Sequence, residues 1–191
     1  METMDKSILR QEGKQQLEEL AKHIDKKRKK EQQIATLLFH SKLWKEAQTI
    51  GMVRSQSFEL NTEPIMKKAL SQGKKVVVPK TLPERQLNFY EVDENTTYQL
   101  SDFGIEEPMN NLVIAKKDID LILVPGLIFS KKGYRIGFGK GYYDRFLEDF
   151  SGKTCGLAFS EQLNDDWQAE EFDQAVMRIY TDTLEGSYVY E

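Results

Sequence analysis

Apolar positions near the start of the chain recur at helical spacing. Leu9, Leu17, Leu20 and Ile24 fit one stripe, Ile34, Leu37, Leu38 and Trp44 another, and no proline interrupts residues 5–47. The pattern predicts a helical N-terminus, with Gly13 and the charged stretch 25–31 as places for a break or turn. Beyond it, short apolar runs alternate with helical segments. Residues 50–53 predict a strand, and residues 62–71 a helix stopped by Gly73. Val76, Val77 and Val78 predict a buried strand ended by Pro79, and the alternation in 87–92 predicts another. Residues 93–118 read as polar and turn-rich. The run at 119–124 predicts the strongest strand, ended by Pro125 and Gly126, and 154–159 and 176–180 predict two more.

Short, wholly apolar runs separated by helices imply a parallel or mixed sheet covered on both faces. The expected fold is α/β: one three-layer domain over residues 1–191, with a mostly parallel central sheet flanked by helices and a helical N-terminus. The length of 191 residues suits one such core. Ten Phe, eight Tyr and two Trp exclude a disordered or low-complexity chain. One cysteine, Cys155, excludes a disulfide framework and a cysteine-rich zinc module, and packing is its expected role. No apolar run approaches the roughly 18 residues of a membrane span, and the polar first residues lack a signal-peptide pattern. A cytoplasmic protein with no membrane partner is expected.

The net charge of −4 conceals an asymmetry. Residues 5–45 carry eleven Lys or Arg against six acids, whereas residues 161–191 carry nine acids against Arg178 alone. The run at 26–30 has the composition of a nucleic-acid patch, but the acidic total argues against nucleic acid as a partner. A solvated helix face is the expected reading of the run.

The chemistry concentrates in PGLIFSKKGYRIGFGKGYYDRFL at 125–147, which holds five of the twelve glycines. It follows the strongest strand and precedes a helix, where open α/β sheets bind ligands. Gly137, Gly139 and Gly141 remove side chains where a ligand approaches the backbone, and successive N–H groups there can cradle an anion. Arg135, Lys140 and Arg145 bring charge suited to phosphate oxygens. The spacing is neither that of a Walker loop nor that of a dinucleotide-binding turn, because Gly141 and Tyr142 stand where those patterns need other residues. Asp144 fits two roles equally: capping the helix, or holding magnesium beside a polyphosphate.

This loop closely resembles the signature of the 5-formyltetrahydrofolate cyclo-ligase family, also called 5,10-methenyltetrahydrofolate synthetases. KSILR at 6–10, ELNT at 59–62, PK at 79–80, GIEEP at 104–108 and AFSEQ at 158–162 extend the resemblance in the family's order. It implies an enzyme that uses ATP and Mg²⁺ to close 5-formyltetrahydrofolate, with or without a polyglutamate tail, to 5,10-methenyltetrahydrofolate, releasing ADP and phosphate. Phosphorylation makes the formyl oxygen a leaving group, N10 attacks the formyl carbon, and phosphate departs. Catalysis is then mostly positioning and charge neutralisation.

By matching, Lys6 and Arg10 are implied to reach the nucleotide phosphates. Arg135, Ile136, Gly137, Phe138, Gly139, Lys140, Gly141, Tyr142 and Tyr143 are implied to form the nucleotide loop, with Lys140 and Arg135 as catalytic cations. Asp144 and Asp173 are the implied magnesium ligands. Glu59 is implied to meet the pterin edge, with Arg54, Phe138 and Tyr142 completing the folate pocket. Two departures stand out: Arg54 replaces an apolar or aromatic residue, and the segment before Asp173 lacks the family's Pro and His. A monomer is expected. The alternatives are a non-catalytic nucleotide- or folate-binding relative, and an ATP-independent sugar-phosphate isomerase or acyl-transfer enzyme on a similar scaffold.

Overall fold

The structure is a computed structural model that describes residues 5–183 and 186–189. Helices α1 (Lys6–Ala21), α2 (Ile24–His40) and α3 (Lys42–Glu46) open the chain. Strand β1 (Thr49–Gly51), helix α4 (Glu63–Ser71), β2 (Lys75–Leu82) and β3 (Gln86–Val92) follow. Next come β4 (Tyr98–Leu100), β5 (Glu106–Pro108), β6 (Val113–Ile114), β7 (Leu121–Leu123), β8 (Ile128–Phe129) and β9 (Arg135–Ile136). Helix α5 (Tyr142–Leu147), β10 (Lys153–Ala158), β11 (Arg178–Thr181) and β12 (Ser187–Val189) complete the order.

Eight strands form the main sheet in the order β12-β11-β10-β7-β1-β2-β3-β6. The five from β11 to β2 run parallel, and antiparallel strands extend both flanks. Alternate residues of one strand feed opposite faces, as the two-residue period of a strand requires. Val76 and Val78 join Leu9, Leu17, Ile34, Leu38 and Trp44 in the core under α1–α4. Val77 and Ile122 instead join Phe129, Phe146 and Leu147 on the α5 side. The expected α/β architecture of sheet and flanking helices is therefore the observed one.

The details differ in four places. The N-terminal helix breaks at Lys22–His23 and again at Ser41, whose hydroxyl caps α3 by accepting from the Trp44 N–H. Gly13 lies inside α1 and serves packing: a Cβ there would sit 2.9 Å from Ile128 Cγ1. Pro79 does not end its strand, because β2 continues to Leu82 with Pro79 opposite Phe89. Pairing with β1 stops at Val77, so the N–H that proline lacks has no strand to meet. The turn-rich stretch 93–118 holds the β4–β5 hairpin and the edge strand β6, elements too short for a sequence period to register.

The charged run 26–30 is not a purely solvated face. Lys26, Arg28 and Lys29 are exposed, but Lys27 and Lys30 are partly buried. Lys30 Nζ lies 2.6 Å from Glu161 Oε1 and 2.9 Å from Asp182 Oδ2, tying α2 to the C-terminal strands. Burial opposes its charge, but the two carboxylates outweigh that and hold its pKa above the ordinary ammonium value. Lys27 donates to the Ser57 carbonyl at 3.3 Å, and Glu31 accepts from the Asn61 N–H at 2.5 Å. Together these two clamp the loop that carries Glu59.

Candidate active site

Strand order reverses around β1 and β7, since the chain leaves β1 for β2 on one side and reaches β7 on the other. Such a switch point opens a crevice beyond the carboxyl ends of the strands. Here that crevice is a cavity of about 630 Å³, a usual size for a small-molecule site. The segment after β1 supplies Arg54 and Glu59, the segment after β7 supplies the glycine loop, and α1 supplies Lys6 and Arg10. The fifteen residues that the family resemblance implied all line this one cavity, although they span positions 6 to 173, whereas Arg145, whose charge also suited phosphate, does not.

The glycine loop is seated from below by Phe129, which is fully buried. Cβ atoms at Gly126 and Gly156 would come within 2.9 and 2.6 Å of that ring, so both backbones approach it as only glycine allows. Gly139 and Gly141 adopt φ of +89° and +74°, and each stands against a guanidinium. The Arg10 guanidinium carbon lies 3.2 Å from a Cβ placed on Gly139, and Arg10 Nε donates to the Gly137 carbonyl at 3.1 Å. Gly137 itself faces open space. Lys140 is exposed, with its ammonium 5.4 Å from the centre of the Phe103 ring.

Arg135 is different. It is buried, donating from Nε to the Pro125 carbonyl at 3.1 Å and from Nη1 to Asp144 Oδ1 at 3.0 Å. Its charge is already met by a carboxylate, whereas among the described residues Arg10 and Lys140 form no ion pair with one.

Asp144 lies in the first turn of α5 but does not cap it; the N-cap is Gly141. Its Oδ1 accepts from Arg135 and from the Gln174 N–H at 3.0 Å. Asp173 is thereby brought next to it. One oxygen of Asp173, Oδ2, accepts from Lys6 Nζ at 2.9 Å and from the Glu170 N–H at 2.8 Å. Among the described residues the second oxygen of each carboxylate has no donor. Two half-committed carboxylates at one mouth suit a hard cation that keeps several water and phosphate ligands. Among the described residues there is no cluster of three or more acidic, His or Cys side chains that would bind a metal by protein alone.

Glu59, which also lines the cavity, accepts from the Gln56 N–H at 2.7 Å. Burial raises its pKa above the ordinary 4.5, with the Gln56 hydrogen bond and Lys27 pulling the other way. Burial likewise raises the Tyr143 phenol, whose hydroxyl is enclosed without a hydrogen-bond partner among the described residues. Arg54 does not project as a free charge. Its Nε donates to Glu106 at 2.9 Å and its guanidinium stacks on Tyr98 at 4.4 Å, so the pair with the β4–β5 hairpin supplies a flat wall. Phe138 is exposed at the rim, 6.4 Å from the Phe58 ring, and Tyr142 meets Phe103 edge-on at 6.2 Å.

Sequence reasoning missed several lining residues. Phe103 comes from the hairpin, Thr81 from the strand that outruns Pro79, and Phe172 from beside Asp173; Glu107 lies in the GIEEP match, which carried no role for it. Arg85 was missed too; it tips the β2–β3 turn, where neither period nor motif marks it. Cys155 is fully buried and burial raises its thiol pKa, which agrees with a packing role.

Comparison with known proteins agrees with the geometry. The profile of the 5-formyltetrahydrofolate cyclo-ligase family matches residues 2–182. A probable 5-formyltetrahydrofolate cyclo-ligase of Caenorhabditis elegans is 32% identical over 173 residues, covering 83% of each chain. The 5-formyltetrahydrofolate cyclo-ligase of Haemophilus influenzae is 30% identical over 142 residues, covering 71% of this chain and 76% of its own. The solution structure of Aquifex aeolicus 5,10-methenyltetrahydrofolate synthetase superposes with a TM-score of 0.80 at 28% identity, over 93% of this chain and 90% of that one. The cavity at the switch point, its glycine loop and these likenesses agree, and the chain belongs to the 5-formyltetrahydrofolate cyclo-ligase family, a ligase of folate one-carbon chemistry.

Proposed function

We propose that this chain closes 5-formyltetrahydrofolate to 5,10-methenyltetrahydrofolate at the expense of ATP, with Mg²⁺, in the cavity beyond β1 and β7. The observation that carries the reading is the gathering there of two unlike groups of residues. One is Arg10 and Lys140, cations without a carboxylate partner among the described residues, beside glycines that open the backbone. The other is the partly buried Glu59 with flat side chains. A nucleotide triphosphate matches the first and a reduced pterin the second.

In this reading Lys6, Arg10 and Lys140 hold phosphoryl oxygens, and the backbone from Ile136 to Gly141 lets them approach. Asp144 and Asp173 hold Mg²⁺ through their uncommitted oxygens, and the ion when bound neutralises phosphate charge. Arg135 keeps Asp144 aimed. Glu59 pairs with the guanidine-like edge of the pterin, while Phe138, Tyr142 and the Arg54–Tyr98 stack confine its rings. The Tyr143 hydroxyl, held as a neutral phenol, donates to the bound substrates. No protein nucleophile is required: the formyl oxygen takes the γ-phosphoryl group, N10 attacks the formyl carbon, and phosphate leaves. The chain acts as a monomer and accepts folate with or without a polyglutamate tail.

Mixing the protein with 5-formyltetrahydrofolate, ATP and Mg²⁺ is expected to generate the methenyl chromophore. No chromophore at high enzyme concentration would overturn the proposal. Chromophore formation without ATP would instead favour an acyl-transfer route.

A further inference from the structure

The β2–β3 hairpin turns through residues 83–85 just beyond the carboxyl end of β2, since Leu82 pairs with Gln86. Two consecutive non-glycine residues there, Glu84 and Arg85, adopt φ of +62° and +59°. Side chains seldom adopt that region, and two in a row persist only where the surroundings determine them. The turn carries Arg85 to the cavity wall, where its Nη1 lies 3.7 Å from a Cβ placed on Gly141. Arg85 is exposed, and among the described residues it makes no hydrogen bond or ion pair.

Like Arg10, it stands against a glycine of the loop. One guanidinium is at Gly139 and the other at Gly141, with Lys140 between those glycines in sequence. Among the described residues, three cations with no carboxylate partner therefore lie on or against a three-residue stretch of backbone. Like charges crowded together repel one another, and the arrangement is balanced only when a polyanion lies among them.

We propose that Arg85 is a further nucleotide-binding residue, clamping a phosphoryl group of ATP from its place at Gly141 as Arg10 does from Gly139. The inference rests on the reading that ATP binds at the glycine loop. A guanidinium suits the task because its planar fork can give two N–H donors to two oxygens of one phosphoryl group. The same fork would fit a carboxylate of the folate tail; its place against Gly141, inside the glycine loop, favours a phosphoryl group in the proposed reading.

The test is steady-state kinetics of Arg85→Ala, Arg85→Lys and Arg85→Gly, with Lys140→Ala as reference and thermal melting as the folding control. Arg85→Gly relieves the left-handed backbone, so it keeps the test valid if the alanine variant melts early. Arg85→Ala and Arg85→Gly are expected to raise the KM for ATP about tenfold or more, with the KM for 5-formyltetrahydrofolate unchanged. Arg85→Lys should recover part of the loss, which a merely structural role would not produce. A wild-type KM for ATP in these variants while Lys140→Ala is impaired would overturn the role of Arg85 and leave the nucleotide site standing. A raised KM for folate instead would overturn it in favour of tail binding. If Lys140→Ala is itself unimpaired, the loop reading fails, and the proposal falls with it.

Discussion

Lys6 Nζ lies 2.9 Å from Asp173 Oδ2, joining the first turn of the first helix to a loop 167 residues later. The contact brings the basic first quarter of the chain against its acidic last quarter at the cavity mouth. Asp173 is nearly buried, its side chain 7% exposed, so the pair is more than a surface ion pair. The near-neutral total charge thus resolves into opposite charges placed where a metal–polyphosphate complex would need both.

Asp173→Asn keeps the shape and the hydrogen bonds from Lys6 and Glu170 while removing a charge. It should raise the Mg²⁺ concentration for half-maximal rate by about 10-fold or more. The thermal unfolding temperature without Mg²⁺ should also fall, because Lys6 keeps a hydrogen bond but loses the charge that paired with it. Titration of the rate with Mg²⁺ checks this, and an unchanged midpoint would remove Asp173 from the metal site.

Glu59 sets a pH dependence. Its folded pKa lies above the unfolded value of about 4.5 because burial disfavours the charge. The stability it contributes is therefore present in full below that value and lost as pH rises through the folded pKa. Glu59→Gln should melt higher than the parent at neutral pH, with the gain shrinking under acid conditions, yet lose folate affinity. The acid limb of kcat/KM for folate should lie above the ordinary carboxylate range and move or vanish in the variant. Melting curves and pH–rate profiles read both effects.

Gly137 and Gly139 should respond differently to alanine. Gly137 faces open space, so Gly137→Ala should keep the parental melting temperature while its methyl group obstructs the nucleotide and raises the KM for ATP. Gly139 has φ of +89° and Arg10 against it, so Gly139→Ala should lose about 1 kcal/mol or more of stability as well as activity. Parallel melts and ATP titrations separate the two.

The glycine loop was legible because its chemistry is contiguous: one stretch carries glycines, cations and Asp144, though the positive φ of Gly139 and Gly141 is a second reason for glycine there. The α1 stripe was legible because it repeats its signal over several turns, and the β7 region because 119–124 is an almost unbroken apolar run. The β4–β5 hairpin was not, because its strands are three residues each and their alternation never completes a cycle. Pro79 misled because its missing N–H matters only if a neighbouring strand reaches it, and β1 stops short. Lys27 and Lys30 looked like Lys26 and Lys29 because partners at Ser57, Glu161 and Asp182 exist only after folding.

That division of the basic run is testable. Lys30→Ala leaves Glu161 and Asp182 unpaired and should cost about 1–3 kcal/mol, with the KM for ATP unchanged. Lys26→Ala and Lys29→Ala should each lie within about 0.5 kcal/mol of the parent. Denaturant titration distinguishes them.

The central claim, that ATP and folate react together in one cavity, is tested most directly by ADP release measured with and without 5-formyltetrahydrofolate. The proposed reaction predicts ADP formed in step with methenyl product, with little ADP when folate is left out, because in it the formyl oxygen is the phosphoryl acceptor. ADP release indifferent to folate, or methenyl product without ADP, would contradict it.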